Sequence, residues 1–202
     1  MILEKARSCD VALIGPGLGR APETEALVHR LLRDLAIPVV LDADGINALE
    51  AHIHILSERP GLTVLTPHDG EFKRLTGCDL PIRNRLSAAR DFAAAHNCVL
   101  ILKGHGTITA APDGRAYVNT TGNPGMAKGG SGDVLAGMIA ALFGQKQFNG
   151  PHFNPCELAA WAVFYHGQVG DLCAEELGEY GMAPSDMLKT IPKVLKEQEL
   201  KD

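Results

Sequence analysis

Four short apolar runs, each closed by a loop rich in glycine or acid, limit this fold more than any other feature. They are Val11-Ala12-Leu13-Ile14, Ile37-Pro38-Val39-Val40-Leu41, Leu62-Thr63-Val64-Leu65 and the stretch from Cys98 to Lys103. Helical periodicity fills the gaps. It runs from Glu23 to Ala36 (Leu27, Leu31, Leu35), from Gly45 to Ala51, through Phe72 and Leu75, and from Arg83 to His96. The apolar runs do not alternate with polar residues, which predicts strands buried on both faces. Strands alternating with helices predict a parallel sheet covered by helices on both sides.

The pattern changes after Lys103. Thr107 to Ala110 and Arg115 to Val118 flank Pro112-Asp113-Gly114, which reads as a β-hairpin with an Asp-Gly turn. Three helices follow without a strand between them: Gly132 to Phe143, Pro155 to Leu177 and Pro184 to Lys196. Asn149-Gly150-Pro151 reads as a loop, not a linker. The expectation is one α/β domain over residues 1–202, with a mainly parallel sheet flanked by helices, a late hairpin and a helical C-terminal third.

Ligands of open parallel sheets bind beyond the carboxyl ends of the strands. The unusual residues stand there: Gly15-Pro16-Gly17-Leu18-Gly19, Asp42-Ala43-Asp44, Thr66-Pro67-His68-Asp69-Gly70-Glu71 and Lys103-Gly104-His105-Gly106. All four loops are predicted to share one rim. The first approaches a dinucleotide fingerprint, with Asp42 at a tolerable distance, but Arg20 occupies the third glycine position of G-x-G-x-x-G, so the loop alone is a weak signal. No G-x-x-x-x-G-K-[ST] phosphate loop occurs either.

Composition narrows the function classes. A chain of 202 residues with 46% hydrophobic residues can build its own core and is not globally disordered. A formal net charge of −5, with no run of five like charges, speaks against nucleic acid and against anionic membrane as partners. No run of 18 apolar residues occurs, and residues Met1 to Asp10 lack the apolar core of a signal peptide. The five cysteines are widely spaced without a C-x-x-C pair, which predicts reduced thiols and a cytoplasmic location.

Residues 119–137 are the most informative. Five glycines fall between Gly122 and Gly132, and an apolar helix follows at once. Free N–H groups at a helix start, reached by a glycine backbone, favour an anion such as phosphate. Asp133 would repel a phosphate in the same cradle. The conflict resolves if the phosphate sits on the glycine amides while Asp133 faces an attacking hydroxyl as general base. The plain alternative makes Asp133 a favourable helix-start residue behind a flexible loop.

Taken together, Asn123 to Gly137, Gly15-Pro16-Gly17-Leu18-Gly19, Leu41 to Leu49 and Thr66 to Glu71 resemble the ADP/ATP-dependent NAD(P)H-hydrate dehydratases of the ribokinase-like superfamily. The resemblance runs from about Cys9 to the C-terminus. It implies a three-layer ribokinase-like fold that converts hydrated NADH or NADPH (NADHX, NADPHX) back to NAD(P)H, with ADP (or ATP) as co-substrate and Mg²⁺. It implies Asp133 as catalytic base that also touches the substrate, with Gly17, Gly19 and His68 as further substrate contacts. Gly129, Gly130 and Gly132 would form the anion hole. Lys103, Gly104, His105, Gly106, Thr107 and Gly132 would bind the nucleotide, and Glu71 would hold the metal through water. Further βα units precede the Gly15 loop in such proteins, so this chain is expected to be N-terminally short. A homo-oligomer, a tetramer among the sizes open, is implied as well.

Simpler roles compete at several positions. His68 could be only a helix N-terminal residue. Asp42 or Asp44 is expected to cap the short helix after it. Lys103 ends a buried strand and is read as facing phosphate, with snorkelling to solvent as the alternative. Trp161, Phe164, Tyr165 and His166 are read as core or subunit contacts. Two other functions remain open: a small-alcohol kinase acting on a thiazole, pyrimidine or pyridoxal-type alcohol, and a nucleotide-binding fragment without turnover.

Overall fold

The computed structural model describes residues 2–145 and 154–199; the expected loop at Asn149-Gly150-Pro151 lies outside them. After a short helix α1 (Ile2–Ala6), strands and helices alternate: β1 (Ala12–Ile14), α2 (Pro22–Asp34), β2 (Val39–Leu41), α3 (Asp44–Asn47), α4 (Ile55–Glu58), β3 (Thr63–Leu65), α5 (Asp69–Thr76), α6 (Arg85–His96) and β4 (Val99–Leu102). The hairpin β5 (Ile108–Ala110) and β6 (Ala116–Val118) follows. A 3-10 turn at Pro124–Met126 then leads to α7 (Ser131–Phe143), α8 (Pro155–Gly181) and α9 (Pro184–Glu199). Gly178, at φ +73°, breaks the regular path of α8 near its end.

The strands form one sheet in the order β1-β2-β3-β4-β5-β6. The first four are parallel, and the hairpin adds two antiparallel strands. Period-two side-chain alternation divides the apolar runs between two faces. Leu41, Leu65, Leu100 and Leu102 pack with Val28, Leu32, Phe72 and Phe92 of α2, α5 and α6. Val40, Val64, Val99 and Ile101 pack with Leu135, Ile139, Leu158 and Ala162 of α7 and α8. The late helices therefore supply the second layer over the parallel strands.

The expectation of burial on both faces holds for β2, β3 and β4. It fails at β1, where Leu13 is 38% exposed. Among the described residues β1 is an edge strand, and Leu13 lines an apolar cleft beside α1 and α2. No described helix is long and apolar enough to cross a membrane.

Candidate active site

Parallel strands carry their following loops to one end of the sheet, and here hydrogen bonds join those loops. Gly15, at φ +137°, sits so close to the second loop that a Cβ on it would lie 1.7 Å from the Asp42 carbonyl oxygen. Only glycine permits that approach. The Gly19 amide donates to Asp44 Oδ2 at 2.9 Å. Asp42, 2% exposed, accepts from Thr66 Oγ1 at 2.6 Å and from Lys103 Nζ at 2.8 Å. Lys103 Nζ also lies 3.9 Å from Glu71 Oε2. One ammonium thus stands between two buried carboxylates, as a buried charge requires.

This arrangement overturns the expected capping role of Asp42 or Asp44. The N-cap of α3 is Ala43, and no side chain caps it. Asp42 is instead the counter-ion of Lys103, and Asp44 ties down the first loop.

His68 takes the simple role as well as a place in the cluster. It is the N-cap of α5, and its Nδ1 accepts from the Gly70 and Glu71 amides at 2.9 and 3.3 Å. Glu71 Oε2 accepts from the His68 amide at 2.8 Å, closing a reciprocal capping box. Because Nδ1 accepts, the ring proton of the neutral form belongs on Nε2, which lies 3.6 Å from Glu71 Oε1. The imidazole remains more than half exposed at the rim.

The glycine-rich segment is seated on α8. Asp171 Oδ2 accepts from the Gly122 amide at 2.8 Å, and its Oδ1 from Asn123 Nδ2 at 3.0 Å. Thr121 Oγ1 donates to the Phe164 carbonyl at 2.8 Å. Lys128 Nζ donates to the carbonyls of Glu179, Tyr180 and Met182 at the end of α8. Close approach needs missing side chains on both partners. A Cβ at Gly167 would fall 2.0 Å from Thr121 Oγ1, and one at Gly125 2.7 Å from the Glu179 carbonyl oxygen.

The segment then delivers Gly129 and Gly130 to the start of α7. Gly130 is the N-cap at φ +101°, so its own geometry demands glycine. Gly129 has open space around it, and a Cβ on Gly132 would lie 3.4 Å from Lys103 Nζ. Asp133, in the first turn of α7, is exposed at this rim and not turned into the core. The sequence-predicted anion hole, base and lysine therefore meet at one place.

The β4–β5 turn is less simply disposed. Gly104 and Gly106 have φ of +155° and +63°. The Gly104 amide donates to Thr107 Oγ1 at 3.2 Å, and Thr107 Oγ1 donates back to the Gly104 carbonyl at 2.9 Å. That amide faces the turn itself. His105 is exposed. Gly17 and Gly19, at φ +72° and +75°, are exposed with no atom within 4 Å of a would-be Cβ; conformation, not crowding, calls for glycine there.

Sequence reasoning missed several contributors. His166 is buried, in keeping with the core reading, but its hydrogen bond through Nε2 to the Ser131 carbonyl at 2.9 Å was not foreseen. Asp171 and Lys128 gave no signal, because their partners lie about 50 residues away along the chain and are mostly backbone groups. Trp161 and Phe164 remain partly exposed and border an apolar cleft of about 210 Å³ with Tyr117 and Asn119. Neither this cleft nor the one beside β1 is lined by Asp133.

The family model described as NAD(P)H-hydrate dehydratase matches residues 1–193. The chain is 45% identical over 197 residues to a bifunctional NAD(P)H-hydrate repair enzyme of Thermofilum pendens, covering 96% of this chain and 36% of that protein. It thus spans about a third of the length of such curated relatives. The ADP/ATP-dependent NAD(P)H-hydrate dehydratase of Bacillus subtilis, co-crystallised with ATP and Mg²⁺ and soaked with CoA, superposes with a TM-score of 0.80. It is 33% identical, over 96% of this chain and 71% of that one. A ribokinase-like superfamily protein of Enterococcus faecalis superposes at 0.81 with 27% identity, over 97% of this chain and 66% of that one. The fold is accordingly ribokinase-like, and a match that runs from the first residue almost to the last makes this chain a member of the NAD(P)H-hydrate dehydratase family.

Proposed function

We propose that this chain carries the nucleotide-dependent dehydration of hydrated NADH or NADPH, with ADP as phosphoryl donor and AMP and phosphate as products. The observation that carries the reading is the convergence of Gly129, Gly130, Gly132, Asp133 and Lys103 at the start of α7.

The chemistry has two stages. Hydroxide is a poor leaving group, so the substrate hydroxyl is first phosphorylated. Asp133 accepts the hydroxyl proton as the oxygen attacks the terminal phosphoryl group. The amides of Gly129, Gly130 and Gly132 and the Lys103 ammonium face the charge that develops on the phosphoryl oxygens. The C–O bond then breaks, the ring nitrogen supplies its electron pair, and phosphate departs. Loss of a proton from the neighbouring ring carbon restores the dihydronicotinamide.

The remaining assignments follow from position. The turn Lys103, Gly104, His105, Gly106, Thr107 holds the nucleotide together with Gly132. Gly17, Gly19 and His68 contact the hydrated dinucleotide. Among the described residues, no group of three His, Cys, Asp or Glu side chains forms a metal site. Glu71 alone, buried and already accepting one hydrogen bond, suits an outer-sphere role in which Mg²⁺ takes most ligands from phosphates and water. When bound, Mg²⁺ would neutralise phosphate charge. The free cysteines support a cytoplasmic location. The exposed Tyr117, Val118, Trp161 and Phe164 support self-association. One sheet with helices packed on both faces supports a single domain over residues 1–202.

Incubation with hydrated NADH, Mg²⁺ and ADP tests the reading. Recovery of dihydronicotinamide absorbance, dependent on ADP and matched by AMP release, is expected. Phosphorylation of a vitamin alcohol without any such recovery would favour a kinase.

A further inference from the structure

Arg85, in the first turn of α6, lies beneath the nucleotide turn without belonging to it. Its Nη2 donates to the carbonyls of Leu102 and Lys103 at 3.1 and 3.0 Å. Its Nη1 pairs with Asp69 Oδ1, in the first turn of α5 beside His68. One planar guanidinium therefore joins the end of β4 to the start of α5, where a lysine could place only a single point charge. The posture is not chosen for the arginine's own comfort. Its Nε is buried and finds no acceptor among the described residues, an arrangement that costs free energy.

The neighbouring turn is fitted to this side chain. Gly104, at φ +155°, would carry a Cβ only 2.9 Å from Arg85 Nη2. The two carbonyls that Arg85 holds stand at the end of β4, beside the backbone bridge that pairs Lys103 with His68. Pinning them fixes the backbone from which Lys103 reaches Asp42 and from which the Gly104–Thr107 turn departs.

We propose that Arg85 is a positioning residue for the nucleotide: it locks the Lys103–Thr107 turn and sets its register against the His68–Glu71 arm, without touching substrate. This inference rests on the nucleotide assignment made above.

Arg85→Met, Arg85→Lys and Asp69→Asn test it through KM for ADP, KM for hydrated NADH, kcat and thermal melting. Loss of charged hydrogen bonds at the turn is expected to raise KM for ADP in Arg85→Met by about tenfold or more. KM for hydrated NADH should move by less than about threefold, and kcat should fall less than ADP affinity does. Arg85→Lys should lie between Arg85→Met and the parent, and Asp69→Asn, which weakens the link to the His68–Glu71 arm but leaves the carbonyl contacts in place, should raise KM for ADP measurably but less than Arg85→Met does. If Arg85→Met fails to fold, the Lys and Asn variants decide the matter. An unchanged KM for ADP in Arg85→Lys, or equal rises in both KM values that track lost melting temperature, overturns the proposal. An unmodified protein that neither binds ADP nor restores absorbance overturns the functional reading itself, and this inference with it.

Discussion

His166, on α8, holds the carbonyl of Ser131 at the first turn of α7 through a 2.9 Å hydrogen bond from Nε2. The bond spans 35 residues of sequence and fixes the helix start that bears Gly132 and Asp133. Neutral imidazole is the form that fits this place. Burial pushes His166 down from 6.5 to about 4; the Ser131 carbonyl opposes that shift, and the Lys103 charge adds to it.

A pH dependence follows. The unfolded chain takes up a proton near 6.5, whereas the folded chain resists until about 4. The stabilisation from neutral His166 is therefore fully present above 6.5 and lost as pH falls towards 4, to the extent of roughly 3 kcal/mol. Urea unfolding of the parent and of His166→Gln across this range is the measurement. The parent should lose more stability on acidification than the variant; equal slopes would refute the assignment.

Asp133→Asn keeps the helix start but removes the proton acceptor. Turnover of hydrated NADH should drop by about a hundredfold or more, the usual scale of a lost general base. ADP affinity, measured by calorimetric titration, should stay within about twofold, since the proposed mechanism rests phosphate on the amides and Lys103 and not on Asp133. Equal loss of both would remove Asp133 from the chemistry.

Lys103→Met should weaken ADP binding and also destabilise the fold. It strands Asp42, whose side chain is only 3% exposed, without its counter-ion. Breaking such a pair from one side costs about 3 kcal/mol. Asp42→Asn combined with Lys103→Met should be more stable than Lys103→Met alone, because the stranded charge is gone. A denaturant double-mutant cycle reads the coupling; strictly additive effects would show that the pair is not energetically linked.

Two glycines of α8 should tolerate alanine differently. At Gly167 the new methyl meets Thr121 Oγ1 at 2.0 Å and the Thr121 backbone carbon at 2.7 Å, so the glycine-rich segment itself must move. At Gly170 it meets the side chain of Met126, with Sδ at 2.2 Å, which has rotatable bonds to swing aside. Gly167→Ala is expected to cost about 2 kcal/mol or more and to depress turnover; Gly170→Ala should cost less. Melting curves and turnover rates settle the order, and the reverse order would mean that the segment is not seated as described.

Much of the architecture was legible before any coordinate. Apolar runs of four or five residues separated by helical periodicity specify buried parallel strands, and Asp113-Gly114 specifies the hairpin turn. Gly130 at a helix start was legible for the same local reason: positive φ and a helix N-terminus are properties of a few adjacent residues. The capping expectation for Asp42 and Asp44 failed because a carboxylate before a helix has a local use and a distant one, and the sequence shows only the local one. At Asp42 the distant partner, Lys103, sits 61 residues away.

The sequence by itself determined the strands, the boundaries of the longer helices within a few residues, and the chemical character of the loops, since these depend on propensity and periodicity along the chain; the short helices α1 and α4 gave no periodic signal. Only the tertiary structure decided which side chains share a charge, that α8 seats the glycine segment through Gly167 and Asp171, and that Arg85 ties α5 to β4. Those outcomes depend on where the sheet and its two helical layers bring remote residues within a hydrogen bond of each other, and periodicity along one chain carries no record of that distance.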